Sequence, residues 1–301
     1  MLAIVIPYYK ISFFDETLQS LANQTNKNFK VYIGDDASPN NPVELLNVYK
    51  SSFNFTYKKF DQNLGANSLT QQWQRCIDLL GNEEWIMLLG DDDKLEKNVV
   101  DEFYKNINEV DVNQINIIRF ASVLVNSSTL KESSVFLHKK KEKILDFYSK
   151  KLLDITRSSL SEYVFRKKVY KKYNFKNYPL AWHSDDMAWF EFSEGKDIFS
   201  INEAKVFVRI FQESISGNPL NFFYKDTASI EFYNNLLLRK DVLKNQIVRE
   251  VLLTRLEVLY KKRKIIVMKK WFYFFITRVQ YLDLLNSVKL IRRMIIYYFN
   301  K

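Results

Sequence analysis

The feature that most constrains this chain is a rhythm in its first third. Short apolar runs end in polar or acidic clusters, and amphipathic helix-length stretches separate them. Leu2–Ile6, Phe29–Ile33, Phe53–Phe60 and Trp85–Leu89 read as strands. Asp15–Asn23, Glu44–Lys50 and Asn67–Leu80 read as the helices between them. Alternation of this kind predicts a parallel sheet with right-handed crossovers. Ligands of such sheets bind outside the carboxyl ends of the strands. Asp35-Asp36, Asn63 to Gly65 and Asp91 to Asp93 all fall at those ends.

The last cluster carries the most chemistry. Three adjacent carboxylates at a strand end repel one another. A hard divalent cation, Mg²⁺ or Mn²⁺, relieves that repulsion and usually faces a phosphate. Taken alone, an acidic triplet reads equally as a solvated turn.

Further along, Asn116–Val125 and Ser161–Lys168 are strand candidates, and Lys168–Tyr173 is a helix candidate. Beyond Asn218-Pro219 the pattern is helical. The expected division is an α/β domain at 1–215 and a helical extension at 216–301. With 47% apolar residues, a substantial core is available. Cys76 stands alone, which excludes an intramolecular disulfide and fits a packing role. Two histidines, His138 and His183, are too few for a histidine-built metal site. The opening Met1–Pro7 has no basic stretch before it and reads as a first strand, not a signal peptide.

With the order of these blocks established, the chain resembles family 2 glycosyltransferases of the GT-A fold over about residues 1–210. Ile4-Val5-Ile6-Pro7-Tyr8-Tyr9 is similar to the family's opening strand. Ser20 to Thr25, followed by Phe29 to Ser38, is similar to its "S-x-x-x-Q-T … V-D-D-G-S" stretch. Asn63-Leu64-Gly65, followed by Gly90-Asp91-Asp92-Asp93, is similar to its N-x-G and D-x-D elements. Ser184-Asp185-Asp186-Met187 is similar to its downstream acidic pair.

The resemblance implies a GT-A, Rossmann-like, mostly parallel central sheet flanked by helices. It implies a nucleoside-diphosphate-sugar donor, UDP-sugar favoured, and Mn²⁺ or Mg²⁺ as cofactor. Pro7, Tyr8, Tyr9, Asn63 and Gly65 are then donor-site residues. Asp36 contacts the base and Asp35 braces it, with a helix-capping turn as the other reading of the pair. Asp91 faces the ribose or sugar, and Asp92 and Asp93 hold the metal. Transfer also needs a general base, for which a partly desolvated carboxylate is suited. Asp186 is the first choice and Asp185 the second, either being otherwise a helix cap. Trp182 is a candidate acceptor platform, and His183 a supporting neighbour. One base without a covalent nucleophile implies direct displacement with inversion.

Three positions depart from the family pattern: Gly90 stands where it usually has the first Asp of its acidic element, Ala37 where it usually has Gly, and Phe192 where many members carry Arg. The last removes a phosphate-binding arginine, for which Arg209, Arg157 or Arg166 are candidate replacements.

Charge is unevenly spread. Residues 255–301 hold 12 Lys/Arg against 2 Asp/Glu, so the whole net charge of +10 lies in this segment. Around the 289–299 helix, Lys289, Arg292 and Arg293 group opposite Leu290, Ile291, Met294, Ile295 and Tyr298, the pattern of an interfacial helix. This predicts docking to an anionic membrane. Packing on protein and homo-oligomerisation stay open, and a neutral body argues against nucleic acid.

The function expected is a metal-dependent inverting transferase acting on a glycan or lipid-linked glycan in surface polysaccharide synthesis. Its expected place is the cytoplasm, peripheral at the inner face of the plasma membrane. A sugar-nucleotide nucleotidyltransferase and a catalytically inactive, membrane-associated scaffold are the alternatives. The first would want a glycine-rich basic loop after the first strand, and Pro7-Tyr8-Tyr9-Lys10 is not one.

Overall fold

A computed structural model describes residues 1–211, 217–264 and 268–299. The first strand, β1 (Leu2–Tyr8), is almost wholly buried. Such continuous burial marks a strand covered on both faces, as in parallel sheets. Then come α1 (Phe14–Ala22), β2 (Phe29–Asp35), α2 (Val43–Val48), β3 (Phe55–Lys59), α3 (Leu69–Ile77) and β4 (Trp85–Leu88). In α1, Phe14, Leu18 and Leu21 are buried on one face, the spacing that seats an amphipathic helix on a sheet. Ser68 caps α3 by accepting from the Gln71 amide.

The middle of the unit holds β5 (Lys94–Leu95), α4 (Val99–Val112), β6 (Ile117–Asn126), β7 (Lys141–Lys143) and α5 (Ile144–Leu152). It continues through β8 (Tyr163–Arg166), α6 (Lys167–Tyr173), α7 (Ser184–Phe192) and the 14-residue β9 (Asp197–Ile210).

The sheet has nine strands in the order β3-β2-β1-β4-β8-β6-β9-β5, with β7 on β9. Strands β3, β2, β1 and β4 run parallel, and β6 runs parallel to β9. Between β4 and β6, β8 is antiparallel to both. The α/β architecture with a largely parallel sheet is the one expected.

Two consequences of this topology set up the site. The register pairs Tyr8 with Asp35 and Asp35 with Lys59, so the loops after β1, β2 and β3 leave from one rim. Because β8 is reversed, the single 3-10 turn before it, Leu160–Glu162, lies at the carboxyl end of β4. The carboxyl end of β9 lies on the same rim.

The chain divides into two compact units, Met1–Ser229 and Ile230–Lys301, rather than at the expected residue 215. Helix α8 (Phe222–Leu236) crosses that division. The second unit continues with α9 (Lys240–Lys244), α10 (Gln246–Lys262), α11 (Met268–Gln280) and α12 (Leu284–Phe299). Within it, Arg278 and Arg293 both pair with buried Glu257, and Tyr260 stacks on Phe274 at 5.8 Å. No described helix is long and apolar enough to cross a membrane. Residues 265–267, 300 and 301 of the basic segment lie outside the described residues, as do the side chains of Tyr297, Tyr298 and Phe299.

Candidate active site

At the carboxyl rim of β1, β2 and β4 lies a cleft of about 520 Å³. Pro7 and Tyr9 come from the end of β1, Asp36 from the end of β2, and Asn63 and Gly65 from the loop after β3. Asp91, Asp92 and Asp93 follow β4, Ser161 comes from the turn before β8, and Arg209 from β9. Of the donor and metal residues expected, Tyr8 and Asp35 do not line the cleft. Tyr8 is fully buried and donates to the Asn40 carbonyl at 2.9 Å. Asp35 is also fully buried, accepting from the Ser38 amide at 2.8 Å and the Tyr57 hydroxyl at 2.6 Å. Asp35 is therefore the brace of its turn.

Asp36 has a larger structural load than sequence suggests. Its two oxygens accept from the Leu64 and Gly65 amides at 2.7 and 2.9 Å, and Arg75 pairs with it. A side chain at residue 65 would put Cβ 2.5 Å from the Asp36 carboxylate, so this contact needs glycine. The second strand and the N-x-G loop are thus latched through one acid.

The three consecutive acids divide their work. Asp91 accepts from the Tyr9 and Lys10 amides at 2.7 Å each, which pins the loop after β1. Asp93 is buried, with one oxygen accepting from the Arg209 amide at 2.8 Å and the other from the Ser161 hydroxyl. Asp93, expected as a metal ligand, lines the cleft, but each of its oxygens already accepts from the protein. Asp92 remains: among the described residues, no other residue donates to its carboxylate.

Burial raises the pKa of all three acids. Asp93 reaches about 6, offset by Ser161 and Arg209. Asp92 lies well above the usual range, first through burial and then through the charges of Asp93 and Asp91. Gly90 is explained by the same turn. A Cβ there would sit 2.8 Å from Asp92 Oδ1 and 2.9 Å from Asp93 Oδ2, so an aspartate at 90 requires one or both of these side chains to shift.

No group of three or more metal-ligating side chains occurs among the described residues. The set does fit a cation carried on a diphosphate. Magnesium-type sites take one or two protein carboxylates and complete the shell with phosphate oxygens and water. Asp92, whose carboxylate accepts from no other described residue, is the carboxylate available for that.

Of the three candidate arginines, Arg209 alone lines the cleft. Its guanidinium lies over Phe13 at 3.9 Å and bonds the Asp92 carbonyl at 3.0 Å and Glu16 at 2.7 Å. Arg166 pairs with Asp111, and Arg157 with Glu162. Lys10 and Ser161 also line the cleft and carried no signal in the sequence beyond their place after and before strands.

Asp185, Asp186, Trp182 and His183 do not line this cleft. They sit at the start of α7, after a loop in which Leu180, Ala181 and His183 all have positive φ. Such strain in non-glycine residues persists only where the surroundings fix it. Asp186 is buried between Lys151, which pairs with it, and His183, whose Nδ1 lies 2.8 Å away. The other imidazole nitrogen meets the Ser229 hydroxyl at 3.1 Å. Burial pushes Asp186 up, but Lys151 and His183 hold it below the usual carboxylate range. Asp185 differs. It is half-buried, and burial followed by the Asp186 charge raises it to about 7.

Lys151 was missed because nothing in Tyr148-Ser149-Lys150-Lys151 separates it from a solvated lysine. Trp182 has Lys225 over its ring at 4.8 Å. Trp189, by contrast, is fully buried and stacks on Tyr163 at 4.2 Å.

Comparison with known proteins adds three findings. The family profile described as Glycosyl transferase family 2 matches residues 3–178. Crystal structures of S. aureus TarS 1–349 share the fold. The complex with UDP aligns at TM-score 0.59 and 14% identity, covering 86% of this chain and 72% of that one. The complex with UDP-GlcNAc aligns at TM-score 0.59 and 16% identity, with the same coverage. A further crystal structure of S. aureus TarS aligns at TM-score 0.56 and 13% identity, covering 94% of this chain and 53% of that one. A search of curated protein sequences finds no match.

Proposed function

Because the chain belongs to glycosyl transferase family 2, we propose that it moves a sugar from a nucleoside-diphosphate donor to a hydroxyl of a glycan or lipid-linked glycan. The reaction is an inverting displacement assisted by Mn²⁺ or Mg²⁺. The observation that carries this reading is the convergence of Asp36, Gly65, Asp91 to Asp93 and Arg209 around one cleft at the strand ends. A UDP-sugar is the preferred donor, a choice supported by the UDP and UDP-GlcNAc complexes of TarS.

In this reading Pro7, Tyr9, Asn63 and Gly65 shape the nucleotide seat, and Asp36 keeps its two loops together. Asp91 holds the loop after β1 against the ribose and sugar. Asp92 would hold the cation, which when bound offsets charge on the departing diphosphate. Arg209 and Lys10 add fixed positive charge on the same wall.

Asp185 is the proposed general base. A carboxylate titrating near 7 is half ionised at neutral pH and takes a proton readily. This reverses the order of preference drawn from sequence, because the Lys151 ion pair leaves Asp186 a weak base. Asp186 then orients the turn, with His183 and Trp182 on the acceptor side.

Surface polysaccharide assembly at the cytoplasmic face of the membrane is the proposed setting. The outward face of α12 supports it. Leu284, Val288, Ile291 and Ile295 are 61%, 64%, 42% and 52% exposed, and Lys289 and Arg292 are exposed beside them.

Thermal shift with uridine nucleotides, followed by a donor-hydrolysis assay, tests the activity. UDP should raise the melting temperature only when Mn²⁺ or Mg²⁺ is present, and a UDP-sugar should be turned over to UDP. No response to any nucleoside diphosphate, with or without metal, would leave the donor reading without support and favour an inactive scaffold.

A further inference from the structure

A second cavity of about 450 Å³ lies between the loop at 134–139, α5 and residues 155–156, and shares no lining residue with the donor cleft. Its rim is aliphatic: Leu137 is 63% exposed and Ile155 68% exposed. Its interior is polar. His138 lines it, and the buried Nε2 of that ring has no hydrogen-bond partner among the described residues. The backbone of His138 is clamped to the Asn202 side chain at 3.1 and 2.8 Å, and its ring meets Phe147 edge-on at 5.9 Å, so the imidazole is held in place.

Positive charge surrounds this nitrogen from several elements. Lys139 and Lys150 line the cavity. Arg119 of β6 lies over the Phe147 ring at 4.2 Å, and Arg157 over the Phe136 ring at 5.8 Å. Both rings are walls of the cavity. The facing carboxylates are Glu142, paired with Arg119 and Lys150, and Glu162, paired with Arg157. Four cations against two carboxylates leave a surplus of two, and a concave low-dielectric wall concentrates that field. Burial first, then Arg119, Arg157 and Lys150, depresses the His138 pKa to about 3. The ring is therefore neutral at pH 7, and its unpartnered Nε2 is buried behind the cavity wall.

We infer that this cavity binds a phosphate monoester dianion, its oxygens toward Lys139 and Lys150 beside the His138 ring and its organic part on Leu137 and Ile155. A dianion matches the surplus charge, and charge-assisted bonds to fixed donors are the strong kind. The aliphatic rim favours an apolar substituent over a sugar.

The two histidines give a local readout. Histidine ring signals of the full chain are followed by NMR at pH 7 during titration with hexyl phosphate, glucose 1-phosphate and inorganic phosphate. His138→Gln assigns the lines. The expected result is saturable movement of the His138 signal with His183 unmoved, tightest for hexyl phosphate. Lys139→Glu, on an exposed residue, should weaken it roughly tenfold. A stationary His138 line, equal affinity for all three anions, or unchanged binding in Lys139→Glu would each overturn the inference. The readout does not depend on the donor cleft, so its failure is separate from failure of the transferase reading.

Discussion

Asp185 and Asp186 are adjacent in sequence, yet their surroundings drive their proton affinities apart. Asp185 titrates at about 7, so its basic form builds up as pH rises through neutrality. Turnover should therefore climb with pH through about 7 and then level off, as a kcat–pH profile would record. Asp185→Asn should remove turnover while UDP binding persists; near-normal turnover would eliminate Asp185 as base. Asp186→Asn acts on stability as well, since it strands Lys151 against a buried site. The cost is about 3 kcal/mol, readable in denaturant melts. The same change takes a repelling charge from Asp185 and turns Lys151 toward it. Both effects lower the Asp185 pKa, so the acid limb of any residual activity should move to lower pH.

The consecutive acids separate by the same logic. Asp92→Asn should abolish metal-linked UDP binding, measured by calorimetry with and without Mn²⁺, and leave the melting temperature nearly unchanged. Asp93→Asn should instead lower stability, because both oxygens of Asp93 hold other parts of the chain. If Asp93→Asn lost only nucleotide binding, the division of labour drawn here would be wrong. Residue identities at this scale were legible in the sequence, as the cluster Gly90 to Asp93 was. Which oxygen faces protein and which faces the cleft was not. That depends on Arg209 and Ser161, which arrive from 116 and 68 residues away.

Among the elements, the parallel strands β1, β2 and β4 were readable because each is a mostly apolar, buried run ended by a polar cluster, and β3, Phe55-Thr56-Tyr57-Lys58-Lys59, through its place in the alternation. The antiparallel insertion of β8 was not. Tyr163-Val164-Phe165 is apolar enough for any central strand, and no local signal encodes the direction in which it enters the sheet. Long β9 was also obscured, since Asn202-Glu203 interrupts it where its pairing with β6 shifts register. These two strands deliver Ser161 and Arg209 to the acidic turn, so the hidden part of the topology completes the site. The turn itself is sterically tight. Gly90→Asp, which restores the family's residue, should lower stability by about 1–3 kcal/mol and weaken nucleotide binding, because its Cβ collides with Asp92 and Asp93. A melting temperature equal to that of the unaltered protein would show that the turn relaxes at no cost.

For the molecule as a whole, the basic segment becomes two populations once its pairs are seen. Arg278 is fully buried against Glu250 and Glu257, and Arg293 is tied to Glu257. These charges serve the interior of the second unit, so summing Lys and Arg along the sequence overstated what faces outward. Leu290, expected on a membrane-facing stripe, is instead fully buried. The surface left for a bilayer is the Leu284, Val288, Ile291 and Ile295 face of α12, with Lys289 and Arg292 beside it. Each basic residue near an anionic leaflet contributes about 1 kcal/mol. Replacing Lys289 and Arg292 together with Glu should therefore reduce partition onto anionic vesicles by well over tenfold at low salt, with no change in melting temperature. Arg293→Glu should do the opposite, lowering the melting temperature through repulsion with buried Glu257. Vesicle binding that survived the double replacement would remove α12 as the docking surface and return its apolar face to contact with protein.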